Sequence, residues 1–130
     1  MDLEALRRHL DEDERVARAA IGHYGGGRDW VEVSPNDHPG LVGDMKGDVV
    51  TFGQREGGGT WQPRAEHIAR HDPARVLRWV RAAREILDRH RKITTSFGAE
   101  TCDQCYEFGH LGYPCQEVES LMSVYGDTDG

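Results

Sequence analysis

The sequence predicts an α+β fold: two long helices packed together, a small antiparallel sheet or hairpin against them, and a cysteine-bearing C-terminal segment with a short helix. Three observations carry this. Apolar residues recur at three- and four-residue steps in two separate stretches, short β-branched and aromatic clusters lie between them, and all three cysteines fall within residues 102–115.

The first helix spans residues 2–23, with Leu3, Leu6, Leu10, Ala17, Ala20 and Ile21 along one face and Asp2 as its N-cap. Gly25, Gly26 and Gly27 end it, because three glycines maximise the backbone entropy lost in any regular element. Between 29 and 62 the pattern shifts to two or three short strands, carried by Trp30 to Val33 and by Asp48 to Phe52. Met45 to Asp48 reads as a turn, and Gly57 to Gly59 as a flexible connector. Trp30, Trp61 and Trp79 are expected at core or corner positions.

Residues 64–71 form a short helix. A longer one restarts with Asp72 as cap and Pro73 in its first turn, where a missing N–H costs nothing. Its apolar stripe is Val76, Leu77, Val80, Ala83, Ile86 and Leu87, with His90 as the last candidate. Residues 93–100 are polar and unpatterned and read as a linker. Glu117 to Tyr125 support the last helix, and 126–130 form a tail. The expected organisation is therefore a helical core over 1–92 with an inserted β region, a linker, and a cysteine module over 101–125.

With 130 residues, 37% hydrophobic and 30% charged, the chain suits one thin-cored domain rather than two large ones. It holds no long apolar run, and its start, Met1 to Leu6, lacks the basic and apolar features of a secretory signal. A cytoplasmic protein without membrane contact is expected. Sixteen basic against twenty-three acidic side chains give a net charge of −7, which disfavours nucleic acid. The basic stretch from Arg64 to Lys92 has an acidic counterpart in Asp11 to Glu14, and mutual compensation across the fold is the simplest account of both.

Cys102, Cys105, His110 and Cys115 offer four soft or borderline ligands at spacings of two, four and four intervening residues, which suits one structural zinc ion in a closed tetrahedral site. A segment this short cannot fold on apolar burial, whereas metal ligation supplies on the order of 10 kcal/mol. Alternative readings are isolated thiols or a Cys102/Cys105 redox pair. The redox pair would need a preceding βαβ unit, and none is apparent. An odd number of cysteines argues against a disulfide framework.

The same residues match the pattern of the zinc knuckle, Cys-x2-Cys-x3-Gly-His-x4-Cys, with Gly109 in the glycine position, and so resemble that family. The resemblance implies zinc and, in many knuckles, recognition of single-stranded nucleic acid. Asp103, Gln104 and Glu107 stand where nucleic-acid-binding knuckles carry Lys or Arg, and only Tyr106 and Tyr113 could stack on bases. A protein-contact role is the expectation.

His67 and His71 are four apart and could share a metal, with His38 or Asp72 as a third ligand; structural or capping histidines are the other reading. A metalloprotease is excluded, because Ile68 stands where the catalytic Glu would follow the first histidine. The glycine triplets lead into no phosphate-binding loop, and no serine has a nucleophile context. Enzymatic activity is not expected.

The run from His67 to Leu77, with Leu10 to Glu14 before it and Pro114, Cys115 and Tyr125 after it, resembles an uncharacterised family of small actinobacterial and actinophage proteins. That resemblance implies the N-terminal helix, the central helix and the cysteine-bearing end, and brings no activity. The function expected is a non-catalytic, zinc-stabilised adaptor or regulator, phage- or mobile-element-associated, whose partner is a protein. The alternatives are a nucleic-acid binder using the knuckle and the basic central helix, and a metal-dependent hydrolase using His67 and His71.

Overall fold

A computed structural model describes residues 1–22, 26–54, 58–106 and 112–126. The chain runs through α1 (Leu3–Ile21), β1 (Trp30–Glu32), β2 (Val42–Asp44), β3 (Val49–Thr51), α2 (Gln62–Arg70), α3 (Pro73–Arg89), β4 (Lys92–Thr94), β5 (Glu100–Cys102) and α4 (Gln116–Tyr125). The class is α+β, as the patterning predicts, with a three-stranded antiparallel sheet ordered β1-β2-β3 and a two-stranded β4-β5 hairpin. Among the described residues no helix is long and apolar enough to cross a membrane.

The helix starts follow the chemistry of their caps. Asp2 Oδ1 accepts from the Ala5 N–H at 2.7 Å, satisfying one of the donors left over in the first turn of α1. Asp72 Oδ1 does the same for Arg75 at 2.9 Å, and its second oxygen accepts from Trp30 N at 3.1 Å, so one carboxylate both starts α3 and fixes the entry to β1. The short helix begins two residues earlier than the pattern suggests, because Pro63 occupies the first turn of α2 without loss of a hydrogen bond.

The chain divides into two compact units, residues 13–78 and residues 1–12 with 79–130. In the first of these, β2 is the central strand, pairing Trp30 with Asp44, Glu32 with Val42, and Val42 with Thr51. Paired residues share a face, and α2 packs on the sheet: Gln62 Nε2 donates to Glu32 Oε1 at 2.7 Å, and Val42 and Ala65 are fully buried. Trp30 is half-buried, its indole N–H donating to the Gly27 carbonyl at 2.9 Å. Trp61 departs from expectation: it sits at the N-cap of α2 and is 59% exposed.

The unit formed by residues 1–12 and 79–130 is built on Leu6 and Leu10 of α1, Val80, Ala83 and Leu87 of α3, and Val118, Leu121 and Met122 of α4. Arg84 reaches Asp11 at 2.7 Å, a contact of the kind expected between the basic and acidic stretches. The Trp79 indole donates to the Tyr125 hydroxyl at 2.8 Å, and Tyr125 stacks on His9 with ring centroids 5.0 Å apart. Both contacts hold α4 to the helical layer.

Residues 93–100, expected as a linker, instead carry most of the β4-β5 hairpin. Its turn closes through Thr95: the Thr95 N–H donates to Ala99 O at 2.8 Å, and Thr95 Oγ1 accepts from the Ala99 N–H at 3.1 Å. Gly98 adopts φ +80°, which a side chain would resist. The strands are three residues long with one half-buried side chain in β4, too short to leave an alternating apolar signature.

Candidate metal centre

The hairpin register explains how the site assembles. α3 ends at Arg89, and the next residue, His90, still donates its N–H to Ile86 O at 2.9 Å, so its position is fixed by the helix. β4 leaves at Lys92, and β5 returns antiparallel with Cys102 paired to Lys92 and the Asp103 N–H donating to Arg91 O at 2.8 Å. A histidine and a cysteine twelve residues apart are thereby brought side by side. Cys105 follows after the two-residue turn. Cys115 enters from the other side as the N-cap of α4, with no side-chain hydrogen bond to the helix, so its sulfur is free for the cluster.

His90 Nδ1 lies 3.4 Å from Cys102 Sγ, 3.6 Å from Cys105 Sγ and 3.6 Å from Cys115 Sγ, and all four atoms lie within 4.8 Å of one another. One ring nitrogen carries at most one hydrogen and cannot direct it at three sulfurs. Near-equal distances to all three are what a common central atom imposes. A tetrahedral ion with bonds of about 2.3 Å to sulfur and about 2.0 Å to nitrogen sets each N···S separation near 3.5 Å, which these values match. The cysteines are free thiols. Among the described residues this is the one group of three or more His, Cys, Asp or Glu side chains able to hold a metal ion.

Electrostatics favour a cation at the centre. Burial pushes the Cys102 thiol up, but the backbone N–H groups of Cys105 and Gln104 and the neighbouring cysteine side chains together outweigh it, and Cys102 lies below the ordinary thiol range. Cys105 is pushed up to about 12 by burial, by hydrogen bonds with Cys102 and Cys115, and by the repulsion of charge on those two sulfurs. Three thiolates cannot share so small a volume without a cation, so metal binding at neutral pH expels protons. Apparent metal affinity should therefore fall as pH is lowered, by about tenfold per pH unit for each proton released, and competition with a chelator across pH 6 to 8 measures it.

Tyr113 has a role that spacing does not suggest. It is half-buried, and its hydroxyl donates to the His90 carbonyl at 3.0 Å, pinning the backbone of the candidate nitrogen ligand. Burial, with the charge of Cys115 and Cys102, raises its own pKa and keeps it a donor. Gly112, with φ +104°, makes the bend that presents this ring. Tyr113→Phe should cost about 1 kcal/mol of stability and up to about tenfold in metal affinity, readable by urea unfolding and chelator competition.

Among the described residues the structure brings together Cys102, Cys105 and Cys115 with His90, a histidine that the spacing does not single out as a ligand. His110 itself lies outside the described residues. His90 is not a core residue of the α3 stripe but a candidate ligand at its end; a histidine directly after a helical stripe and shortly before the first cysteine is the signal that could have found it. Tyr106 is exposed. His67 and His71 lie apart from this cluster in sequence and belong to the other compact unit.

A family profile matches residues 3–128, nearly the whole chain. The chain belongs to DUF6221, a family of unknown function. No curated protein and no solved structure matches it. Membership therefore brings no assigned activity, and the chemistry of this member rests on its own residues. What they establish is a His/Cys3 cluster that can hold a metal ion, placed where an α-helix, a hairpin and a second helix converge.

Proposed function

We propose that this DUF6221 protein is a non-catalytic adaptor or regulator that acts through protein contacts and whose C-terminal part is ordered by one structural zinc ion. The observation that carries the reading is that His90 and three cysteines present four ligand atoms within 4.8 Å of one another, enough to fill a tetrahedral site without water or substrate, as in structural rather than catalytic zinc. Zinc is favoured because three thiolates and an imidazole form the soft donor set that selects it over harder cations.

Protein contact is supported by apolar side chains held in water. Phe97 at the tip of the β4-β5 hairpin is 96% exposed, a position with no folding benefit to offset its hydration. Nucleic-acid binding is less well supported. Arg91 and Lys92, the two basic residues that follow His90, face Asp103 and Glu100 at 3.4 Å each, and Tyr113, a candidate stacking ring, is committed to His90. The test is affinity capture of metal-loaded protein from its native cells, in parallel with Phe97→Asp. A protein partner lost with that substitution is the expected result. Retention of RNA or DNA, lost steeply with added salt, would transfer the assignment to the nucleic-acid reading.

A further inference from the structure

His67 and His71 take no part in the cysteine cluster and lie in the unit formed by residues 13–78. The two rings lie with centroids 4.1 Å apart and planes tilted by 30°, both exposed, at the end of α2. His71 is the C-cap, and its Nδ1 lies 2.8 Å from the His67 carbonyl. A carbonyl oxygen only accepts, so Nδ1 carries the hydrogen and the lone pair of the neutral ring is placed on Nε2. Metal-binding histidines are oriented in just this way, with the far nitrogen donating to a carbonyl while the other faces the ion. The backbone beneath is fixed as well. The His71 N–H donates to both His67 O and Ile68 O, and Asp72, the next residue, has both oxygens engaged by the N–H groups of Trp30 and Arg75.

We infer that His67 and His71 form a second, exchangeable site for a borderline divalent cation such as Zn2+, Ni2+ or Cu2+. Two metal–nitrogen bonds of about 2.0 Å bridge about 3–4 Å, so small rotations of two exposed side chains four residues apart bring one nitrogen of each ring to a single ion. Imidazole suits these cations and not Mg2+ or Ca2+. Asp72, considered from sequence as a third ligand, is committed to its two backbone donors. The remaining coordination positions are then open to water or to a ligand supplied from outside. This site is independent of the cysteine centre and differs from it in kind, being shallow and solvent-facing where the other is closed.

The test uses untagged, full-length protein with its cysteine centre already loaded with zinc, titrated with Ni2+ by calorimetry and followed by the ring C–H resonances of histidine. The inference expects one further equivalent, with paramagnetic broadening of His67 and His71 first, and loss of that equivalent in His67→Gln and in His71→Gln while the zinc content is unchanged. His67→Gln removes a ring that caps nothing and decides the matter even if His71→Gln disturbs the α2 end. No further equivalent, or one that survives both substitutions, overturns it.

Discussion

Replacing His90 with alanine should release the metal, whereas His110→Ala should keep it. The geometry behind this contrast is the near-equal reach of one imidazole nitrogen to all three sulfurs, at 3.4, 3.6 and 3.6 Å. Loss of a direct ligand should weaken binding by more than the roughly 10- to 100-fold that loss of an orienting partner costs. His90→Ala also leaves a three-thiolate set whose fourth position is open to water. Elemental analysis after dialysis against a competing chelator gives the comparison: about one equivalent retained by wild type and His110→Ala, and far less by His90→Ala.

The second large effect is expected on stripping the metal. The C-terminal elements bury few apolar side chains of their own: α4 contributes Val118, Leu121 and Met122, while Cys102 and Cys115 are themselves among the most buried residues. With the ion removed, those thiols become a repelling or proton-holding cluster inside the unit. Structural zinc contributes on the order of 10 kcal/mol, comparable with the whole stability of a small domain at about 5–15 kcal/mol. Hydrogen exchange in the chelated protein should therefore speed up by orders of magnitude across β4, β5 and α4. The β1-β2-β3 sheet, in the unit that buries Val42 and Ala65 and holds none of the four cluster residues, should keep its protection. Equal loss in both would mean that the ion sustains the entire fold, and no loss in either would mean that it orders nothing.

Much of this architecture is legible in the residues because long elements repeat their signal. Leu6 and Leu10 on one helix and Val80, Ala83 and Leu87 on the other state a helical period several times over, and Asp2 and Asp72 mark helix starts through a chemistry that needs no tertiary context. The candidate cysteine ligands are legible for a different reason: three thiols close in sequence in a chain with no others have few alternatives. The candidate nitrogen ligand, His90, is not legible by the same means. It depends on the pairing of Lys92 with Cys102, a register set by a turn at Thr95 to Ala99 and by strands of three residues, and such short strands carry no periodicity. A local spacing rule therefore points to the histidine nearest the cysteines along the chain, whereas the fold brings one from the end of α3 beside them. Tyr113 illustrates the same limit, since a ring between two ligands suggests stacking until its hydroxyl is found on the His90 carbonyl.

X-ray absorption at the metal edge of protein purified without added metal bears most directly on the central claim. The expected result is zinc in a first shell of three sulfurs at about 2.3 Å and one nitrogen at about 2.0 Å, with the imidazole scattering pattern absent from any metal that remains in His90→Ala. A shell richer in oxygen, a ligand number above four, or an imidazole signal that persists in His90→Ala and vanishes in His110→Ala would contradict it.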